Sequence, residues 1–187
     1  MPSAVIVRAR LPAGLERLRR ASVGDAADGV PAHLTLLYPF VEPDQLRPAV
    51  RQTLAGVASR HRRFDFRLRG MARWPDTAYV AVSPAQAFVR LQRDLQAAFP
   101  GYPIYGRDAT FRFVPHVTIA EGWPASSLAL RANPAWRALP QPAHAAAIEV
   151  IATGADGRWR LVWRIPLPGG GPGARRGVPR AADRMRP

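Results

Sequence analysis

The sequence lacks cysteine and lysine altogether. Without cysteine the chain has no disulfide, no thiolate nucleophile and no cysteine-based metal site. Its 27 basic residues are all arginine and outnumber the 13 acidic residues, which gives a net charge of +14. Exclusive use of arginine, with abundant alanine and proline, indicates GC-rich coding, so mainly the sign of the charge is informative. A basic surface favours anionic partners such as phosphates or nucleic acid.

Long apolar runs are also missing. The sequence contains no stretch of 18 apolar residues, so it predicts no membrane span. The short apolar stretch near the start is followed by arginine and not preceded by it, which is typical of a first strand and not of a signal peptide. We therefore expect a cytoplasmic protein without a membrane partner, and a monomer.

One short pattern occurs twice. His33-Leu34-Thr35-Leu36 and His116-Val117-Thr118-Ile119 lie 83 positions apart, and each reads His, apolar, Thr, apolar. This alternation predicts two β-strands that present His and Thr on one face and the apolar pair on the other. If the two strands face each other, they form a site with two imidazoles and two hydroxyls.

The patterns around these motifs repeat in a similar order. The C-terminal segment 169–187 is rich in Gly, Pro and Arg and is predicted to be disordered, which leaves one domain over 1–168. Each half of that domain carries a motif strand and a later hairpin. This order predicts an α+β fold of two antiparallel-sheet lobes with flanking helices, related by pseudo-twofold symmetry around a central cleft. The expected helices are 12–22, 44–60, 85–99 and, weakly, 125–138, and the expected strands are 4–10, 33–38, 64–68, 78–82, 111–120, 146–153 and 159–167.

Two histidines on either side of one substrate can act as general base and general acid. This suits displacement at phosphorus without a metal, because Thr35 and Thr118 can bind the non-bridging oxygens. Neither His33 nor His116 has Asp, Glu or Cys at ligand spacing beside it, so we predict no metal site and no cofactor. A single His-x-Thr is usually structural, but two copies use half of the four histidines and favour a site. His61 and His144 are interpreted as a solvated and a structural residue.

Other residues have two interpretations. Tyr38 is either a core residue or a surface for stacking a base. The arginines on strand faces opposite the apolar ones either line the cleft and attract phosphates or form a solvated face; they are Arg67, Arg69, Arg160 and Arg164. In the last strand we expect Trp159, Leu161, Trp163 and Ile165 on one face and Arg158, Arg160 and Arg164 on the other.

At the two motifs the sequence resembles the two-histidine phosphoesterases, also called the LigT-like or 2′-5′ RNA ligase family. That family has two His-x-Thr/Ser-x motifs about 80 residues apart. The surrounding blocks, residues 31–40, 102–106, 114–118 and 156–160, are similar too, and the resemblance covers about residues 3–168. One departure is Ala120-Glu121, where many RNA-processing members have a basic residue.

The resemblance implies a bilobal LigT-like fold with both motifs facing one cleft. It also implies metal-independent phosphodiester chemistry on RNA ends, 2′,3′-cyclic phosphates or 2′-5′-linked nucleotides. His33 and His116 would be the acid and the base in an unassigned order, and Thr35 and Thr118 would bind phosphate. Glu121 leaves a small cyclic phosphoester open as the substrate. The alternative is a non-catalytic module that binds RNA or a nucleotide in the basic cleft.

Overall fold

The computed structural model describes residues 2–107, 110–122 and 127–169. Within them, eight strands form two four-stranded antiparallel sheets. The strands are β1 (Ser3–Arg8), β2 (His33–Leu37), β3 (Phe64–Trp74), β4 (Thr77–Ser83), β5 (His116–Glu121), β6 (Gln141–Ala145), β7 (Ala147–Thr153) and β8 (Trp159–Pro166). The first sheet has the order β2-β1-β7-β8 and the second has the order β5-β4-β3-β6. The α+β class with two antiparallel sheets is therefore confirmed.

In each sheet a helix connects an inner strand to an edge strand in the same way. The α-helices of the described residues are α1 (Ala13–Ser22), α2 (Gly24–Ala27), α3 (Pro48–Ala58), α4 (Gln86–Ala98) and α5 (Leu128–Arg131). The chain runs β1-α1-β2 in the first sheet and β4-α4-β5 in the second, apart from short turns of helix. Each motif strand is thus the edge strand that follows a helix, as the predicted symmetry requires. Among the described helices, none has the length and apolar character needed to cross a membrane.

The helices hold the two sheets together by reciprocal packing. Helix α1 contacts β5 of the second sheet, and α4 contacts β2 of the first. Each helix is amphipathic and buries one face, with Leu15 on α1 and Phe88, Leu91 and Leu95 on α4. As a result, each motif strand is covered by the helix that belongs to the other lobe.

The motif strands alternate as predicted. Leu34 and Leu36 of β2 and Val117 and Ile119 of β5 are fully buried in one hydrophobic cluster that spans both sheets. The intervening His and Thr residues are only half-buried. Because side chains alternate across a strand, both His-Thr pairs point away from this shared core, on the other face of each sheet.

Several element boundaries differ from the expectations. Strand β5 begins at His116 and not at 111, since Pro115 before it has no N–H for a ladder. Strand β3 extends to Trp74, well beyond residue 68. Strand β6 was not predicted, because Pro142 and the absence of β-branched residues hide it; it lies at the outer edge of its sheet.

The last strand does not have the single apolar face that was expected. An irregularity in the β7–β8 ladder pairs Val150 with Trp163 but Ile151 with Leu161, so β8 contains one extra residue. Such a bulge reverses the alternation of side chains. Trp163 therefore packs against the main core, whereas Trp159 packs against Ile151 on the other face. Arg164 consequently does not share a face with Arg160.

Two histidines outside the motifs have partners that the sequence analysis did not foresee. His61 Nε2 lies 2.9 Å from a carboxylate oxygen of Asp94 on α4, so it is not simply solvated. His144 Nδ1 lies 2.6 Å from Asp65 Oδ1 across the β3–β6 pair. Both contacts support a structural role. The segment predicted to be disordered lies, from residue 170 onward, outside the described residues.

Phe88 tests how far the shared core depends on α4. Its ring is fully buried and makes edge-to-face contacts with Phe64 and Phe66 at centroid distances of 4.8 and 4.9 Å. We expect Phe88→Ala to lower the free energy of unfolding by about 3–5 kcal/mol, measured by urea denaturation. Val89→Ala, at an exposed neighbouring position, should change it by no more than about 0.5 kcal/mol. Equal losses in the two variants would contradict the packing described.

Candidate active site

The two motif strands face each other at the inner edges of the two sheets. Strand β2 is the edge of the first sheet, β5 is the edge of the second, and the two strands are neighbours. Two adjoining cavities, here called the cleft cavities, open along this line. His33 and Thr35 line the first, His116 lines the second, and Thr118, Tyr105 and Glu121 line both. The structure thus brings the four motif side chains to one cleft.

The first cleft cavity, of about 510 Å³, is lined by both polar and apolar side chains. The polar ones include His33, Thr35 and Arg19. The aromatic ones include Tyr38 and Trp159, whose ring centroids are 6.3 Å apart. Tyr38, one of the predicted cleft residues, therefore does line the cleft.

The second cleft cavity, of about 480 Å³, surrounds His116 with aromatic rings. Trp74 packs edge-to-face against the imidazole at a centroid distance of 4.7 Å, and Tyr79 lies 5.2 Å from it. Arg107 and Arg112 line the same cavity. This side of the cleft therefore combines aromatic surface with positive charge.

Both catalytic candidates are held in the same tautomer. His33 Nδ1 lies 2.7 Å from the carbonyl oxygen of Pro31, and His116 Nδ1 lies 2.7 Å from that of Val114. A carbonyl can only accept, so Nδ1–H donates in both rings, and Nε2 of the neutral ring is left as the acceptor. The Thr35 hydroxyl lies 3.1 Å from His33 Nε2 and donates to it.

Both imidazoles favour the neutral form in the free protein. Burial lowers the pKa of His33 to about 4, and the positive charge of Arg19 contributes in the same direction. Burial also lowers the pKa of His116. A phosphate anion between them would oppose this effect, because negative charge favours an imidazolium.

Arg19 is a charged residue of the cleft that the sequence analysis missed. Its side chain is 2% exposed, donates to the carbonyl oxygen of Val30 at 2.9 Å and lies 3.5 Å from an oxygen of Asp25. Its position four residues after the buried Leu15, on the same face of α1, is the signal that could have identified it. A buried guanidinium thus lines the first cleft cavity beside His33.

Carboxylates partly offset this cation. Asp25 and Glu121 line the first cleft cavity with Arg19. Burial raises the pKa of Glu121, the nearby Asp25 adds to this effect, and Arg19 opposes it. Glu121, at which the sequence departs from the resemblance, therefore lies near the cation Arg19, which helix α1 supplies.

Tyr105 is a second residue that was missed. Burial raises the pKa of its hydroxyl and the nearby Thr35 opposes this effect, while its backbone N–H donates to the carbonyl oxygen of Tyr38 at 2.5 Å. It has a positive φ of 55°, which is uncommon for a residue other than glycine. Its presence in the 102–106 block of the resemblance was the available signal. Tyr105 fixes the 3₁₀ turn Ile104–Gly106 against the end of β2.

The four predicted cleft arginines lie elsewhere. Arg67 of β3, which is paired with Ser83, and its neighbour Arg69 are two strands away from β5. Arg160 binds both carboxylate oxygens of Asp156, at 2.8 and 2.6 Å, and Arg164 lies beside Glu149. None of the four lines either cleft cavity, so the interpretation that they line the cleft is corrected for these two cavities.

Comparisons with known proteins identify the family and agree with the fold. The sequence model of the 2′-5′ RNA ligase superfamily matches residues 7–156. TT0787 of Thermus thermophilus is 21% identical, with a TM-score of 0.59 over 91% of this chain and 100% of that one. E. coli LigT complexed with 3′-AMP is 18% identical, with a TM-score of 0.52 over 88% of this chain and 99% of that one. A second LigT crystal structure, with NADP⁺, is 19% identical, with a TM-score of 0.54 over 89% and 98%. A search of curated protein sequences finds no match.

The influence of Arg19 on His33 can be measured directly. We expect Arg19→Gln to raise the pKa of His33 above about 4, because the variant removes a nearby positive charge. The measurement is an NMR titration of the imidazole C–H resonances.

Arg19→Lys keeps the charge and should leave that pKa low. Arg20→Gln, on the exposed side of the same helix, should also leave it unchanged. An unaltered His33 titration in Arg19→Gln would show that Arg19 does not act on His33.

Proposed function

This chain belongs to the 2′-5′ RNA ligase superfamily, and from this premise we propose that it is a metal-independent phosphodiesterase. The proposed reaction opens 2′,3′-cyclic phosphates, or cleaves or forms 2′-5′ phosphodiester linkages, in RNA or small nucleotides. One observation carries the proposal. Two strands from different sheets deliver an imidazole and a hydroxyl each to one cleft, and because Nδ1–H of both imidazoles donates to a backbone carbonyl, Nε2 is the acceptor nitrogen of each neutral ring.

The surroundings of the two histidines suggest their roles. His33 has a pKa of about 4 and lies near the cation Arg19, so it stays neutral and suits the general base. His116 lies against the rings of Trp74 and Tyr79, which favour a cation close to their faces. His116 is therefore the better general acid, because it can take up a proton when an anionic substrate binds.

Hydrolysis of a 2′,3′-cyclic phosphate then proceeds as an in-line displacement. His33 Nε2 takes a proton from water as the water oxygen forms a bond to phosphorus. The bond from phosphorus to one ribose oxygen breaks, and the protonated His116 gives its Nε2 proton to that oxygen. The Thr35 hydroxyl turns from His33 Nε2 to the bound phosphate, so that the hydroxyls of Thr35 and Thr118 donate to the non-bridging oxygens, where negative charge is concentrated. Ligation at a 2′-5′ linkage is the same displacement with a ribose hydroxyl in place of water.

Aromatic surfaces on both sides of the phosphate position can accept a nucleobase. Tyr38 and Trp159 form one such surface in the first cleft cavity, and Trp74 forms another in the second. Base stacking on aromatic rings contributes about 1–3 kcal/mol per base. E. coli LigT has been crystallised with 3′-AMP and with NADP⁺, which supports a nucleotide as the ligand of this related fold.

Turnover of a 2′,3′-cyclic nucleotide in the presence of chelator tests the function. We expect hydrolysis by the wild type, and losses of at least about 100-fold in kcat for His33→Ala and for His116→Ala. Thr35→Val and Thr118→Val should each lose about 100-fold, because each removes a hydroxyl that stabilises the transition state. Product formation can be followed by chromatography.

His61→Gln is the matched histidine control, because His61 pairs with Asp94 away from the cleft, and it should keep wild-type activity. Abolition of activity by chelator would overturn the metal-free mechanism. Binding of RNA without turnover of any cyclic or 2′-5′ substrate would support the non-catalytic module instead.

The pH dependence follows from the two imidazole environments. We expect a bell-shaped profile of kcat/KM with its ascending limb near pH 4, where His33 loses its proton in the free protein. The descending limb should lie below the ordinary histidine pKa of about 6.5, because burial lowers the pKa of His116. Trp74→Leu should move only the descending limb, to lower pH. A shift of the ascending limb alone would reverse the assigned roles.

A further inference from the structure

A third cavity, of about 400 Å³, lies outside the cleft and is built around one buried carboxylate. Glu149 on β7 is 5% exposed, and its two carboxylate oxygens face two different arginines. Arg8 Nε lies 2.9 Å from Oε2, and Arg164 Nε lies 3.6 Å from Oε1. Arg10 lines the same cavity. These four side chains are here called the arginine cluster.

The arginine cluster carries more positive charge than Glu149 can neutralise. One carboxylate faces two guanidinium groups, and Arg10 adds a third. Arg8 and Arg164 each approach Glu149 through Nε, and in the part of the chain that the structure describes their terminal nitrogens have no hydrogen-bond or ion-pair partner. A purely structural ion pair would need only one arginine. Two guanidinium groups held at Nε present their remaining N–H groups in the arrangement that binds phosphate oxygens.

The cluster is connected to the catalytic strand by the sheet itself. Arg8 on β1 is directly opposite His33 on β2, so their side chains emerge on the same face. Glu149 on β7 is directly opposite Arg164 on β8, at the far edge of that sheet. Three strand spacings separate β2 from β8, which is roughly 14 Å. A mononucleotide held at His33 does not span this distance, but an RNA strand does, because it continues beyond the reacting nucleotide with one phosphate per residue.

We propose that the arginine cluster binds the backbone phosphates of an RNA strand whose reacting end lies between His33 and His116. This inference rests on the proposed function and extends it to the length of the substrate. Glu121 does not oppose it, because that carboxylate lies near Arg19 at the reacting end. The cluster raises the affinity for longer RNA chains but does not select a particular base, since phosphates carry no sequence information.

The test compares two substrates that share one reacting group. They are a 2′,3′-cyclic mononucleotide and an RNA oligonucleotide long enough to span the first sheet, with the same 2′,3′-cyclic phosphate at its end. Arg164→Gln and Arg8→Lys should lower the ratio of kcat/KM for the oligonucleotide to that for the mononucleotide by about five-fold or more. Arg8→Lys keeps a charge beside Glu149 but cannot bind the carboxylate and a phosphate through one planar fork.

Binding measurements complete the test. The binding constant K for the labelled oligonucleotide is measured by fluorescence anisotropy at several salt concentrations. In the cluster variants, log K should fall less steeply with log salt, by about 0.7 for each phosphate contact removed. Arg90→Gln, an exposed arginine of α4 with the same charge change as Arg164→Gln, should alter neither the ratio nor the slope. Arg164→Lys provides a second variant should Arg164→Gln fail to fold.

Each outcome decides between the two proposals. Wild-type turnover of the mononucleotide with an unchanged ratio and slope in the cluster variants would overturn RNA binding by the arginine cluster and leave the proposed function intact. An equal effect in Arg90→Gln would also overturn it, because general charge would then be the cause. Failure of the wild type to turn over either substrate would remove the proposed function, and the anisotropy slopes alone would then decide whether the cluster binds RNA. If an acidic peptide of equal charge displaced the RNA and bound with the same affinity, this result would contradict recognition of phosphate.

Discussion

Burial of four aliphatic side chains in one shared core is the constraint on which the cleft depends. Leu34 and Leu36 from β2 enter the same cluster as Val117 and Ile119 from β5. Since a strand alternates its side chains, burying these four leaves the His and Thr of each motif no position except the cleft face. A slip of one residue in either strand would bury an imidazole and expose a leucine or valine. The free energy of the core thus fixes the geometry of the chemistry.

The reciprocal helices make this constraint mutual between the lobes. Helix α4 covers β2 and α1 covers β5, so neither motif strand is packed only by its own half. The same arrangement carries Arg19 from α1 into the cleft beside His33. One helix therefore provides both apolar packing, through Leu15, and the positive charge that favours a neutral base. Packing and electrostatics of the cleft are coupled through a single element.

Charge is distributed unevenly over the face of the first sheet. In the first cleft cavity, Arg19 is offset by Asp25 and Glu121, so this side of the cleft has little excess positive charge. Further across the sheet, Glu149 is outnumbered by the arginines around it. Part of the positive net charge of the chain is therefore concentrated in one cavity. Because the Glu149 carboxylate is little exposed there, its attraction to both guanidinium groups is stronger than it would be in water. This contrast makes the arginines around Glu149 a better candidate for backbone phosphates than the first cleft cavity.

Alternation along consecutive residues was enough to determine the faces of the motif strands. The amino-acid order therefore predicted that His33 would share a face with Thr35 and His116 with Thr118, and the order of elements predicted two antiparallel sheets. Which distant residues join them depended on the tertiary fold. Arg19 and Tyr105 reach the cleft through packing between segments far apart in the chain, and one extra residue in β8 moved Arg164 to a different face from Arg160. Register and helix packing set these positions, and neither is encoded in a local pattern.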